Sequence, residues 1–174
     1  MALVCKTNPR SEASTSWGVI VSMSIRMDYS QHLKSLRESY FKALPQQRVG
    51  VAKKRIADQQ SGPDFIVTYV SAIEGLLRSL VIWNNSYADK PSKSRYNKYK
   101  GSGVNALYCE YLKIQNIEAI VTHDVYELVS YAVDYRNLLA HECTYLGQDT
   151  YSGLIEACDN FFKAICSTAG LKYS

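Results

Sequence analysis

Seven apolar residues constrain this chain more than any others. Ile66, Tyr69, Val70, Ile73, Leu76, Leu77 and Leu80 keep the i, i+3, i+4, i+7 spacing of one helical face. The spacing predicts a helix over 64–84. Ser61-Gly62-Pro63 supplies its start, since proline fits the first turn, and Asn84-Asn85-Ser86 ends it. No stretch alternates with period two for long enough to make a strand, and no repeat of 20–50 residues occurs. A chain with this much helical patterning and no strand pattern is expected to be all-α.

Other segments agree. Leu33, Leu36, Tyr40 and Leu44 predict a helix over 28–44, stopped by Pro45. A polar stretch with Lys53, Lys54 and Arg55 reads as a short surface helix. Leu107, Tyr111 and Ile114 predict a helix over 104–117. One more is expected over 124–141, opened by Asp124 and Glu127 as a capping box, and a last one over 150–168, with Leu154, Ala157, Phe161, Phe162 and Ile165 apolar. The expected architecture is a bundle of four to five helices with one long basic loop. At 174 residues the chain is one domain long. Residues 1–22 are Ser/Thr-rich without helical periodicity and read as a tail, leaving 23–174 as the domain. Met23 or Met27 is an alternative start.

Composition excludes several classes. With 47% apolar and 21% charged residues, 4 Pro and 9 Gly, the chain is neither collagen-like nor a polyelectrolyte. Its five cysteines (Cys5, Cys109, Cys143, Cys158, Cys166) form no Cys-x-x-Cys pair, so neither a zinc ribbon nor a disulfide scaffold is indicated. The apolar run near the start, Trp17 to Val21, falls far short of the ~20 residues a membrane span needs, and no signal-peptide layout precedes it. Reduced thiols in a cytoplasm, with no membrane partner, are the expectation. There is no Glu-x-x-His, His-Glu-x-x-His or Walker loop, so neither metal nor cofactor is expected. His32 and His123 stand alone. Gly101-Ser102-Gly103 is read as a glycine-rich helix entry offering free amides to a phosphate; the strand that a dinucleotide site requires does not precede it.

The net charge of +4 has an uneven source. Segment 86–103 holds Lys90, Lys93, Arg95, Lys98 and Lys100 against Asp89, with Tyr87, Tyr96 and Tyr99 interleaved, so it accounts for +4 alone. Its turn formers and lack of Leu, Ile and Val predict a loop. Cations meet phosphates and aromatic faces stack on unpaired bases, which makes Lys93, Arg95, Tyr96, Lys98, Tyr99 and Lys100 candidate RNA contacts. A solvated loop with no ligand is the plain alternative.

The chemistry-bearing pattern lies in Tyr131-Ala-Val-Asp-Tyr-Arg-Asn-Leu-Leu-Ala-His-Glu142. At about 100° per residue, Ser130, Asp134, Asn137 and His141 share one stripe, while Val125, Leu128, Val129, Ala132 and Leu139 form the apolar one. Arg136 falls within the apolar stripe. A guanidinium there needs a carboxylate or a solvent-open cleft; Glu74 is a candidate partner, and a simply solvated Glu74 is the plain alternative. A surface histidine and a snorkelling arginine are the plain reading of the same residues.

Arg136-Asn137-Leu-Leu-Ala-His141 resembles the Arg-x4-His signature of the HEPN superfamily, over about residues 28–168. The resemblance implies a small helical bundle and a metal-independent endoribonuclease acting as a homodimer, in which two motifs meet at the interface. Arg136, His141 and Asn137 would be catalytic, with Glu74 and Asp134 in support. RNA would be the substrate, and an antitoxin or phage-defence protein a candidate partner. Some HEPN toxins carry a modifiable Tyr two residues after the His; this chain has Cys143 there. The rival expectations are a non-catalytic HEPN-like module binding RNA, nucleotide or protein, and a helical scaffold in which Arg136 makes a structural ion pair.

Overall fold

The computed structural model describes residues 31, 34–58, 64–83, 90–141 and 152–173. All regular structure among them is helical: α1 (34–42), α2 (Pro45–Asp58), α3 (Asp64–Trp83), α4 (Lys93–Tyr99), α5 (Val104–Gln115), α6 (His123–His141) and α7 (Ser152–Thr168). The sequence division at residue 22, the expected start and end signals around α3, and Cys143 lie outside the described residues. The chain divides into two units, Met1–Tyr40 and Phe41–Ser174. In the first, residues 34–39 are helical and exposed, Leu36 included; Leu33 lies outside the described residues.

In the second unit α3 is the central element, packed by α2, α4, α5, α6 and α7. All seven residues of the predicted stripe are buried. Burial extends beyond the stripe to Thr68, Ser79, Val81, Ile82 and Trp83, twelve of the twenty residues in all. By length and composition this helix is apolar enough to cross a membrane, but its apolar surface is spent on the other helices. The core continues through Leu107 and Tyr111 of α5, and through Leu154, Phe161, Phe162 and Ile165 of α7. Each such side chain taken from water contributes about 1.5–3 kcal/mol.

Pro45 opens α2 rather than merely ending α1, because an N-terminal proline gives up an amide that a helix start does not use. α2 buries only Pro45, Val49 and Ala52. The chain end returns to it. Gly170 takes a left-handed φ of 65° and Leu171 N–H donates to Cys166 O at 2.8 Å, turning the chain out of α7. Gln46 then exchanges two hydrogen bonds with the Lys172 backbone, and Lys53 Nζ donates to Tyr173 O at 3.0 Å.

Two expectations need correction. Segment 86–103 is not all loop: residues 93–99 form α4, capped by Ser92 Oγ, which accepts from Arg95 N–H at 3.3 Å. The segment lacks aliphatic residues, but Tyr99 supplies the buried anchor that Leu or Val usually provides. The start of α6 also differs. The helix begins at His123, Tyr126 N–H bonds Thr122 O, and Glu127 accepts from Tyr131 Oη at 3.2 Å, so Asp124 and Glu127 do not form a capping box.

Candidate functional site

α6 is the least buried of the long helices, with only Val129 and Ala132 fully covered. Its packed side faces α7 and α3. Leu128, expected on that side, is instead exposed, while Val125 and Leu139 are half-buried. Asp134, Asn137 and His141 are all exposed along one polar stripe, and Ser130 Oγ donates to Tyr126 O within it.

Arg136 points the other way. Its Nη2 donates to Glu74 Oε2 of α3 at 2.7 Å, with both side chains about one-fifth exposed (22% and 21%). Arg136 Nε is buried with no partner among the described residues. Glu74 is shared: its Oε1 accepts from Arg78 Nη2, one turn along α3. Arg78 also donates from Nε to Tyr99 O at 3.2 Å and from Nη2 to Ser102 O at 2.9 Å. One carboxylate and two guanidinia therefore join α3, α6 and the turn between α4 and α5. The sum of the triad is one positive charge. Arg78 was not expected at the site; its i, i+4 spacing from Glu74 was the available signal.

Arg136 and His141 are five residues apart, so their side chains leave the helix roughly 140° apart and about 7.5 Å along its axis. The structure does not bring the guanidinium and the imidazole onto one face. A ligand touching both must wrap the last turn of α6.

The basic segment is partly committed. Arg95 Nη1 donates to Val81 O at 3.3 Å, and Lys93 Nζ sits 4.9 Å over the Phe41 ring, which itself meets Tyr96 edge-on at 5.3 Å. Tyr99 is buried, so its ring is not available to stack on a base. Lys90, Lys93, Lys98 and Lys100 are all exposed, Lys98 Nζ lies 4.7 Å over the Tyr99 ring, and Tyr96 is half-buried. Gly103 caps α5 without a side-chain bond.

Charge along the chain is polarised. Residues 1–103 hold sixteen Lys and Arg against seven Asp and Glu; residues 104–174 hold four against nine. The remainder outside 86–103 nets to zero only through this cancellation. Within the basic half α2 carries Arg48, Lys53, Lys54 and Arg55, of which Lys54 and Arg55 are exposed. It is a second cationic surface that the pattern of 86–103 overshadowed.

Comparisons with protein-family models, with curated proteins and with solved structures found no match.

Proposed function

We infer that the protein is a metal-independent endoribonuclease of toxin or phage-defence type, working as a homodimer in the cytoplasm. The observation that carries this reading is the Arg136–Glu74 pair at 2.7 Å, which fixes the arginine of an Arg-x4-His motif on the helix whose last turn exposes His141. RNA supplies its own nucleophile. The 2′-oxygen attacks phosphorus while its proton passes to a base, the P–O5′ bond breaks, and the 5′-oxygen takes a proton. His141 is the acid/base, Arg136 offers its remaining N–H groups to the phosphate oxygens, and Asn137 hydrogen-bonds the phosphate or orients His141 one turn on. Asp134 lies on the same stripe two turns before His141. Lys98 and Lys100 attract the RNA backbone. An antitoxin or defence-system protein is the candidate partner.

The test is incubation with total RNA in EDTA. Cleavage leaving 2′,3′-cyclic phosphate ends, abolished by His141→Ala in a protein that keeps its fold, is the expected result. Wild-type cleavage by His141→Ala removes the assignment. A second reading has its own observation: Glu74 already occupies Arg136, as in a structural ion pair. Binding of RNA, nucleotide or a protein without turnover would favour that non-catalytic module.

A further inference from the structure

The seat that α2 and α7 make for residues 171–173 has the parts of a peptide-binding site. Beyond the left-handed turn at Gly170 the side chains alternate: Leu171 and Tyr173 are half-buried against the core, and Lys172 between them is exposed. The backbone is read directly. Gln46 Nε2 donates to Lys172 O and Gln46 Oε1 accepts from Lys172 N–H, each at 2.9 Å, and Lys53 Nζ donates to Tyr173 O at 3.0 Å. None of these bonds uses the Lys172 side chain. Main-chain bonds give such a seat affinity, and the alternate side chains give it specificity.

The Tyr173 position is the selective one. Its ring meets Phe162 edge-on at 5.7 Å, and Lys53 Nζ and Lys163 Nζ lie 5.4 and 5.6 Å from its centre. Its hydroxyl donates to Asp159 Oδ1 at 3.1 Å, an oxygen that Tyr69 Oη also reaches. Phenylalanine would fill the same space and leave the carboxylate one donor short. A site built to bond a hydroxyl discriminates strongly against the ligand that lacks it.

The hold on the segment is able to open. The Gln46 bonds are exposed to solvent, and exposed backbone bonds with few buried apolar contacts open at low free energy. We propose that this seat docks a Leu-x-Tyr segment of a partner protein, read by Gln46, Lys53 and Asp159, in competition with Leu171-Lys172-Tyr173 of the chain itself. The chain's own segment is the template for the ligand: it shows which backbone atoms and which hydroxyl the seat recognises. Being tethered, it acts at high effective concentration and fills the seat until a partner displaces it. The docking involves neither RNA nor the Arg136 and His141 faces of α6, so it stands or falls apart from ribonuclease activity.

The experiment uses the full chain and a fluorescent, end-capped peptide Ala-Gly-Leu-Lys-Tyr-Ser, the sequence of residues 169–174. Tyr173→Ala empties the aromatic position. Tyr173→Phe removes only the hydroxyl and serves as host if the first variant does not fold, as melting curves will show. Polarisation titrations should find the peptide bound about tenfold or more tighter by Tyr173→Ala than by wild type, whose tethered segment competes, with Tyr173→Phe between them. Changing the peptide's Tyr to Phe should weaken binding roughly tenfold, the loss of a hydrogen bond to a charged acceptor. Gln46→Ala in the same host should weaken it by about as much, while changing the peptide's Lys to Ala should leave it unaltered. Three results overturn the proposal: no binding by a folded Tyr173 variant, equal binding by wild type, or a Phe peptide bound as tightly as the Tyr peptide. Self-association of wild type that excess peptide dissolves would assign the seat to a second copy of the chain and overturn it too.

Discussion

Arg136 of α6 and Glu74 of α3 meet at 2.7 Å, and the second oxygen of the same carboxylate is held by Arg78. The two arginines are not equivalent. Arg78 has two backbone carbonyls as further acceptors, whereas Arg136 Nε is buried without a partner among the described residues. Removing the carboxylate by Glu74→Ala therefore strands Arg136 more than Arg78. Both groups keep some solvent contact, so the loss falls short of the ~3–5 kcal/mol seen for fully buried pairs and is expected near 2 kcal/mol. Urea unfolding should show a lower midpoint with an unchanged slope. A double-mutant cycle should give a larger coupling for Glu74 with Arg136 than for Glu74 with Arg78. Equal couplings, or a Glu74→Ala protein as stable as wild type, would refute this account.

The fold was legible where burial follows helical period. The α3 stripe, the α5 positions Leu107 and Tyr111, and the α7 positions Leu154, Phe161 and Ile165 could be read from spacing because each faces the core. α4 could not, since its burial rests on a tyrosine and its start on one serine cap. The site was legible in part. Spacing places Arg136 on the packed side of α6 and so calls for a carboxylate, without choosing between Glu74 as its partner and Glu74 as a solvated side chain; a helical wheel also has no information on which apolar residues lack a neighbour. Leu128 therefore looked like core and is surface. Arg78 is not legible in the sequence because two of its partners, Tyr99 O and Ser102 O, are backbone atoms that no side-chain pattern encodes.

Asp159 joins the chain end to the core. Its Oδ1 accepts from Tyr69 Oη at 3.2 Å and from Tyr173 Oη at 3.1 Å, and Lys163 pairs with Oδ2. Burial, then the Asp159 charge, pushes the Tyr173 hydroxyl up to about 12, and the same causes raise Tyr69. Burial also pushes the Cys158 thiol up to about 12 and Cys166 to about 11. Groups whose folded values are raised stabilise the fold in full below their ordinary values, 9.0 for the thiols and 10.0 for the tyrosines, and lose that contribution as pH climbs through the folded values. Stability should hold level to about pH 9 and then fall steadily toward pH 12. Asp159→Ala should cost about 1–2 kcal/mol at neutral pH, since two hydroxyls and Lys163 lose their acceptor. A melting temperature unchanged between pH 8 and 11 would contradict the argument.

The thiols make a separate prediction. Cys109 is exposed on α5, while Cys158 and Cys166 are buried on α7 with raised values. Only the thiolate attacks an alkylating reagent. Peptide mapping after brief alkylation at pH 8 should find Cys109 modified and Cys158 and Cys166 protected until denaturant is added. Early modification at Cys158 would mean that α7 opens locally well below the global unfolding energy.

The final prediction separates the two cationic surfaces. Lys90, Lys98 and Lys100 are exposed beside α4, and Lys54 and Arg55 are exposed on α2. Each phosphate contact to single-stranded RNA contributes about 0.7 to the slope of log binding constant against log salt. If the α4 segment carries the RNA, converting Lys90, Lys98 and Lys100 to Gln should flatten that slope by about 2. Lys54→Gln with Arg55→Gln should leave it unchanged. The reverse result would route the RNA across α2. That path would detach it from the turn that Arg78 ties to Glu74, and with it from the one structural link between the basic segment and Arg136 found among the described residues.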